Sequence, residues 1–244
     1  MAEADEVLLR LTGVHTDIGR YQILHGIDLT VRLGRVTMLL GRNGVGKTTT
    51  LRTIMGLWKA REGQIAFGGR SIAGMATPDI ARMGIAYVPE NMGIFGKLTV
   101  RENLLLATGP HGFVQERLDR VFEYFPALKL KLDTSAGLLS GGQKQMLAIA
   151  RAIIEAHRLL LVDEPTKGLS PAMVDHFIAA LLALKAEQTT LLLVEQNFRV
   201  AQAMGDDVAV IDQGRVVHCG PMSALSADAE LQQRLLGLSL GVAA

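Results

Sequence analysis

Directly after the apolar run Val36-Thr-Met-Leu-Leu40 the chain reads Gly41-Arg-Asn-Gly-Val-Gly-Lys47-Thr48, and a helical pattern follows. A buried strand leaving through a Gly-x4-Gly-Lys-Thr loop into a helix implies an α/β fold and a cradle for polyphosphate. Gly41, Gly44 and Gly46 permit the positive-φ backbone in which successive N–H groups converge on phosphate oxygens. Arg42 is assigned a backbone N–H contact only, and Asn43, Val45 and Thr49 complete the cradle. Lys47 adds a mobile cation, and Thr48 offers a hydroxyl to Mg²⁺. The helix N-terminus places roughly half a positive charge beneath the anion.

At 244 residues the chain holds one large α/β domain with room for a small inserted lobe, not two complete enzymes. Lys and Arg number 25 against 24 Asp and Glu, so no basic excess exists to neutralise a nucleic acid or an anionic lipid surface. No nucleic-acid partner is expected. The acidic start Met1–Glu6 lacks the basic n-region of a signal peptide, and the single Cys219 cannot form an internal disulfide. Both features fit the cytoplasm. The best uninterrupted apolar run, Phe177–Leu184, falls short of the ~18 residues that span a bilayer.

Apolar runs predict strands at 7–11, 27–31, 36–40, 64–67, 85–88, 159–162, 190–194, 208–211 and 216–218. Several alternate with helical patterns, which implies a mainly parallel, helix-covered sheet with an antiparallel portion near the N-terminus. Residues 159–162 and 191–194 are apolar at every position and belong at the sheet centre. From about residue 92 to 138 strand patterning stops. There Thr99-Val-Arg-Glu102 reads as a capping box, and a second helix is predicted over 114–125. Further helices are predicted over 144–155, 172–185 and 224–236. One domain over 7–238 is expected, with a helical part over 92–155.

Leu159-Leu-Leu-Val-Asp163-Glu164 is a buried strand ending in two carboxylates, and strand ends are where open parallel sheets place ligands. Asp163 is expected to face Mg²⁺, directly or through water. Glu164, pointing differently, is the candidate general base for the water that attacks a γ-phosphate. Leu139-Ser140-Gly141-Gly142-Gln143 precedes a helical run and makes a second Gly-rich helix N-terminus. Two such loops reach one nucleotide most simply in a head-to-tail dimer, with Ser140 and the Gly141 and Gly142 amides covering the nucleotide on the partner copy.

The order of these three motifs, with a helical insert between the first two, resembles the nucleotide-binding subunit of ATP-binding-cassette (ABC) transporters over nearly the whole chain. The resemblance implies a P-loop NTPase with a RecA-like core sheet, an N-terminal antiparallel β-subdomain and an inserted helical subdomain. It further implies ATP and Mg²⁺ as ligands, two ATPs sandwiched in a dimer of this chain or of this chain with a related ATPase, and coupling to integral membrane permease subunits. A periplasmic or extracellular solute-binding protein is implied indirectly, with this subunit on the inner membrane face.

Tyr87-Val-Pro-Glu90, Lys97–Leu104, Gly168-Leu-Ser-Pro171 and Leu193-Val-Glu-Gln196-Asn197 resemble the ATPases of branched-chain amino acid and urea importers. In the wider family the position of Glu90 usually carries Gln, near Mg²⁺ and the attacking water. The position of Gln196 usually carries His, a γ-phosphate sensor. Gln196 keeps a hydrogen-bond donor but no titrating charge. The same resemblance places Ile18 at the adenine-stacking position, where it packs by dispersion only, with Tyr21 as the alternative ring. The six histidines lack metal-ligand spacing, and the ten methionines read as packing residues. Arg101, Arg117 and Arg120 read as a solvated face of the insert. Two other classes compete: a soluble ABC ATPase without a transporter, which usually carries two cassettes or a coiled-coil insert, and a small GTPase, which needs an Asn-Lys-x-Asp absent here.

Overall fold

A computed structural model describes residues 6–108, 112 and 114–237. His111 and the last residue of the expected domain, Leu238, lie outside the described residues, as do Met1–Asp5. Two sheets carry the fold. The first is antiparallel, in the order β2 (Tyr21–Arg32), β1 (Val7–Ile18), β4 (Ala60–Phe67), β5 (Arg70–Ser71). The second runs β10 (Arg215–Pro221), β9 (Asp207–Asp212), β3 (Val36–Leu40), β8 (Thr190–Val194), β7 (Leu159–Asp163), β6 (Ile85–Val88). Within it β9, β3, β8, β7 and β6 pair in parallel, and β10 is an antiparallel edge.

The all-apolar strands take the interior positions as expected, because both of their faces are covered. Leu160 and Val162 of β7 enter one buried cluster, with Leu191 and Leu193 of β8. Leu159 and Leu161 enter the other, with Leu192 and Val194. This is the period-two alternation of a strand turned into two cores. The first core is closed by α6 (Gly141–Ile153) and α7 (Pro171–Ala186), the second by α1 (Lys47–Ile54) and the antiparallel sheet. α1 is thereby wedged beneath the phosphate loop.

The described elements between β6 and β7 are helical: α3 (Val100–Leu105), α4 (Gln115–Tyr124), α5 (Pro126–Lys129), a 3₁₀ turn over Ala136–Leu138, and α6. α3 opens on the expected capping box, Thr99 Oγ1 accepting from Glu102 N while Glu102 accepts from Thr99 N at 2.7 Å. The insert's arginines are not merely solvated: Arg101 pairs with Asp133 at 3.1 Å, Arg117 with Glu155 and Arg120 with Glu187.

Three differences from the sequence expectations have local causes. β1 and β2 each run twelve residues, extended through polar stretches by bulges that apolar patterning does not mark. The expected helix over 224–236 is two, α9 (Met222–Ala227) and α10 (Ala229–Leu236). It is broken where Asp228 leaves helical geometry and its side chain accepts from Leu231 N at 2.9 Å. α2 (Thr77–Arg82) and α8 (Phe198–Met204) were not expected; α8 starts on an Asn197 cap to Arg199 N.

Candidate nucleotide site

Because β3, β8, β7 and β6 are parallel neighbours, the loops leaving their C-terminal ends meet on one edge of the sheet. β3 delivers Gly41–Gly46, β7 delivers Asp163 and Glu164, β8 delivers Gln196, and β6 delivers Glu90. A cavity of about 390 Å³ forms there, lined by Ile23, Asn43, Gly44, Gly46, Lys47, Thr48, Thr49, Glu90, Glu164 and Lys167.

The loop's glycines are required by geometry at two points. Gly41 has φ 144°, and a Cβ there would stand 2.3 Å from the Ile211 carbonyl oxygen on β9. Gly46, at φ 111°, is the N-cap of α1 and would drive a Cβ to 2.9 Å from Leu24. Arg42, Asn43 and Gly44 are exposed. Val45 packs against the second core and accepts Gly214 N at 3.0 Å. Lys47 is 4% exposed, and its Nζ donates to the Gly41 and Arg42 carbonyls at 2.9 and 2.8 Å. The ammonium is folded back over its own loop, 3.8 Å from Glu164 Oε1. Burial holds its pKa below the ordinary lysine value, opposed by Glu164 and Asp163.

Thr48 Oγ1 donates to Asp163 Oδ1 at 3.1 Å, and Tyr87 donates its hydroxyl to Asp163 Oδ2 at 3.3 Å. Asp163 is fully buried, which pushes its pKa up, with Glu164 and Glu90 adding repulsion and the two hydroxyls opposing. The Tyr87 phenol is pushed up to about 12, chiefly by burial and then by the Asp163 charge. A hydroxyl beside a carboxylate is a hard-oxygen pair suited to Mg²⁺, which keeps much of its water and needs few protein ligands. Among the described residues no group of three or more His, Cys, Asp or Glu is gathered for another metal.

The raised pKa of Asp163 has a measurable sign. A carboxyl whose pKa rises on folding stabilises the fold only where it is protonated, below its unfolded-state value, and that contribution is lost as pH rises through the raised value. Asp163→Asn is therefore expected to raise Tm at neutral pH without nucleotide. The same variant should lose the Mg²⁺ dependence of nucleotide binding. A thermal melt paired with a Mg²⁺ titration checks both.

Glu164 sits at φ 48°, a left-handed backbone rare outside glycine, and its N–H donates to Val194 O at 2.9 Å. Its side chain has partners that Asp163 does not share. Glu164 Oε1 accepts from Gln196 Nε2 at 2.6 Å, and Oε2 faces the Lys167 ammonium at 3.3 Å as an ion pair without a directed hydrogen bond. Lys167 also donates to Glu90 Oε1 at 2.6 Å, which, with Glu164, raises the lysine's pKa. A carboxylate at position 90 is thus balanced by a cation two loops away.

The structure brings together Asn43, Gly44, Gly46–Thr49, Glu90, Asp163, Glu164 and Gln196. Gly41 and Arg42 border a smaller cavity behind the loop with Gln196. Ser140, Gly141, Gly142 and Gln143 do not line the cavity; Ser140 instead caps α6, accepting from Gln143 N at 3.3 Å, with Gly141 exposed. Ile18 lies at the β1–β2 turn opposite Tyr21, which is 69% exposed, and neither lines the cavity, whereas Ile23 does. Sequence reading missed Ile23, Lys167 and Glu195. For Lys167 a signal existed, since an unmatched cation follows Glu164 by three residues.

The family model for ABC transporters matches residues 24–167. The chain is 37% identical to the high-affinity branched-chain amino acid transport ATP-binding protein BraG of Pseudomonas aeruginosa, over 94% of this chain and 100% of that protein. It is 33% identical to the probable branched-chain amino acid transport ATP-binding protein LivF of Archaeoglobus fulgidus, over 95% and 99%. The fold superposes with a TM-score of 0.80 on a crystal structure of the ADP conformation of an ABC-transporter cassette, at 25% identity, covering 95% of this chain and 99% of that one. With the phosphate loop, the paired carboxylates and the Ser-Gly-Gly-Gln helix start in place on this fold, the chain belongs to the ABC transporter family, as one of its ATP-hydrolysing subunits.

Proposed function

We propose that this subunit drives an importer of branched-chain amino acids or a related small polar solute such as urea. It would work as one half of a nucleotide-sandwich dimer on the inner face of a membrane. The observation that carries the reading is the assembly of Lys47, Thr48, Asp163, Glu164 and Gln196 on one sheet edge around the glycine loop. The two relatives named above, both branched-chain amino acid transport proteins matched along their full length, support the solute class. The functional unit spans 7–238, with the helical part at 92–155.

In this mechanism the loop amides from Gly41 to Thr49 and the Lys47 ammonium bind the phosphates of ATP. Thr48 and Asp163 would hold Mg²⁺, with Glu90 as a further candidate ligand. Mg²⁺, when bound, supplies charge neutralisation on the phosphate oxygens. Glu164 accepts a proton from the attacking water, and Gln196 orients Glu164 and donates toward the γ-phosphate. Ser140 and the Gly141–Gln143 amides act on the nucleotide of the opposing copy. Their separation from the cavity of their own chain supports that assignment. Ile18 is kept as an adenine contact by dispersion only.

Among the described residues no helix is long and apolar enough to cross a membrane, so the permease is assigned to other chains. An open cleft of about 740 Å³ beside β6 is its proposed seat. Met55, Trp58, Ala148 and Ala152 line it, and Pro89, Asn91 and Met92 continue it from Glu90.

The dimer makes a direct prediction. Specific ATPase activity of the purified chain should fall on dilution, and Ser140→Arg should lower it by at least about 10² while leaving nucleotide affinity of the monomer within about twofold. Specific activity that does not change with dilution, with Ser140→Arg fully active, would reject the sandwich. Uptake of labelled leucine and urea by vesicles holding the co-purified permease decides the solute.

A further inference from the structure

Glu195 is a carboxylate 2% exposed, beside the site yet outside the mechanism above. Its Oε1 accepts from Thr166 N at 3.2 Å and from Thr166 Oγ1 at 2.7 Å. Its Oε2 accepts from Gln196 N at 3.1 Å and Asn197 N at 3.3 Å. One side chain therefore joins two segments that have both left the sheet: the turn after β7, which carries Glu164, and the turn after β8, which carries Gln196. The bond from Glu164 N to Val194 O is where ladder pairing between those strands ends. Beyond it the N–H groups of Thr166, Gln196 and Asn197 find their acceptor in Glu195.

We propose that Glu195 is a positioning residue that clamps these two turns and so sets the 2.6 Å contact between Gln196 Nε2 and Glu164 Oε1. The proposal rests on the reading of Glu164 as base and Gln196 as sensor. A carboxylate suits the task because it offers acceptors in both directions and no donor. Glutamine has the same shape, but its NH₂ end must face backbone N–H groups on one side. The Thr166 hydroxyl can turn to accept from that NH₂; the amides of Gln196 and Asn197 cannot. The clamp then loosens on one side while the fold around it keeps its packing.

The test is a double-mutant cycle on the full-length chain at a concentration where turnover is saturated in protein. Glu195→Gln should lower kcat by about 10–10²-fold, the cost of misplacing a catalytic group by a fraction of its reach, with the Kd for ATP within about twofold of wild type. In a Gln196→Ala background, where the contact being positioned is gone, the same substitution should cost at most about twofold. Without nucleotide, amide exchange at Thr166, whose N–H loses its acceptor to the new NH₂, should quicken in Glu195→Gln, while the amides of Gln196 and Asn197, which keep a carbonyl oxygen, and of the Gly41–Gly46 loop stay unchanged.

An equal factor in both backgrounds would overturn the proposal. So would a Gln196→Ala protein with wild-type kcat, or an ATP Kd that rises as much as kcat falls. If Glu195→Gln does not fold, Thr166→Val, which removes one of the four donors, runs the same cycle with a smaller expected loss. A wild-type chain that binds ATP with no hydrolysis under any condition would instead sink the underlying reading of Glu164, and nucleotide binding alone separates that case.

Discussion

Glu164→Gln is expected to lower ATP turnover by about 10²–10⁴-fold while nucleotide still binds. The size follows from what Glu164 is in this structure: the carboxylate at the cavity wall that is neither buried against Thr48 nor assigned to Mg²⁺. Around it stand Lys47 at 3.8 Å, Lys167 at 3.3 Å and the Gln196 amide at 2.6 Å. An amide in its place keeps the shape and an acceptor for Gln196, and loses the ability to take a proton. With hydrolysis stopped and binding intact, the closed dimer should accumulate with ATP. Size-exclusion chromatography with and without ATP reads that outcome beside a phosphate-release assay. Turnover within about threefold of wild type would remove Glu164 from the chemistry.

The second large effect is a contrast between two glycines of one loop. Gly41→Ala should prevent the native loop from forming, because a Cβ at φ 144° meets the Ile211 carbonyl at 2.3 Å, and that carbonyl belongs to the β9 backbone. The strand or the loop must move, and we expect a loss of about 2–4 kcal/mol in unfolding free energy together with loss of nucleotide binding. Gly44→Ala meets nothing within 4 Å, so its cost is the left-handed backbone alone, φ 78° and about 1–2 kcal/mol. That protein should fold and bind nucleotide more weakly. Chemical denaturation and fluorescent-nucleotide titration of the pair separate the loop's part in the fold from its part in binding. Equal denaturation midpoints would show that the contact with Ile211 is relieved at no cost.

Local chemistry made much of this legible in the sequence. β3, β6 and β8 were placed residue for residue, since an unbroken apolar run between turn residues can bury on both faces only inside a sheet. The glycine loop and the paired carboxylates were legible because their spacing is itself the chemistry. What escaped depends on contacts distant in sequence. Glu195 read as part of a strand-end motif, and its partner Thr166 lies 29 residues away. Lys167 meets Glu90 across 77 residues. Ile23 lines the phosphate cavity and Ile18 does not, because the two-strand turn puts residues 18 and 21 at its tip while residue 23 lies back toward the loop. The long, bulged β1 and β2 were under-read because polar cross-strand pairs such as His15 with His25 leave no apolar alternation.

The left-handed backbone of Glu164 implies something for anyone engineering this protein. Glycine at that position would relax the main chain, just as an uncharged side chain at Asp163 would relieve the sheet of a stranded charge. A library sorted only for heat tolerance would accordingly drift toward changes at these two neighbours and return robust, inert proteins, so any such selection has to be coupled to survival on imported nutrient.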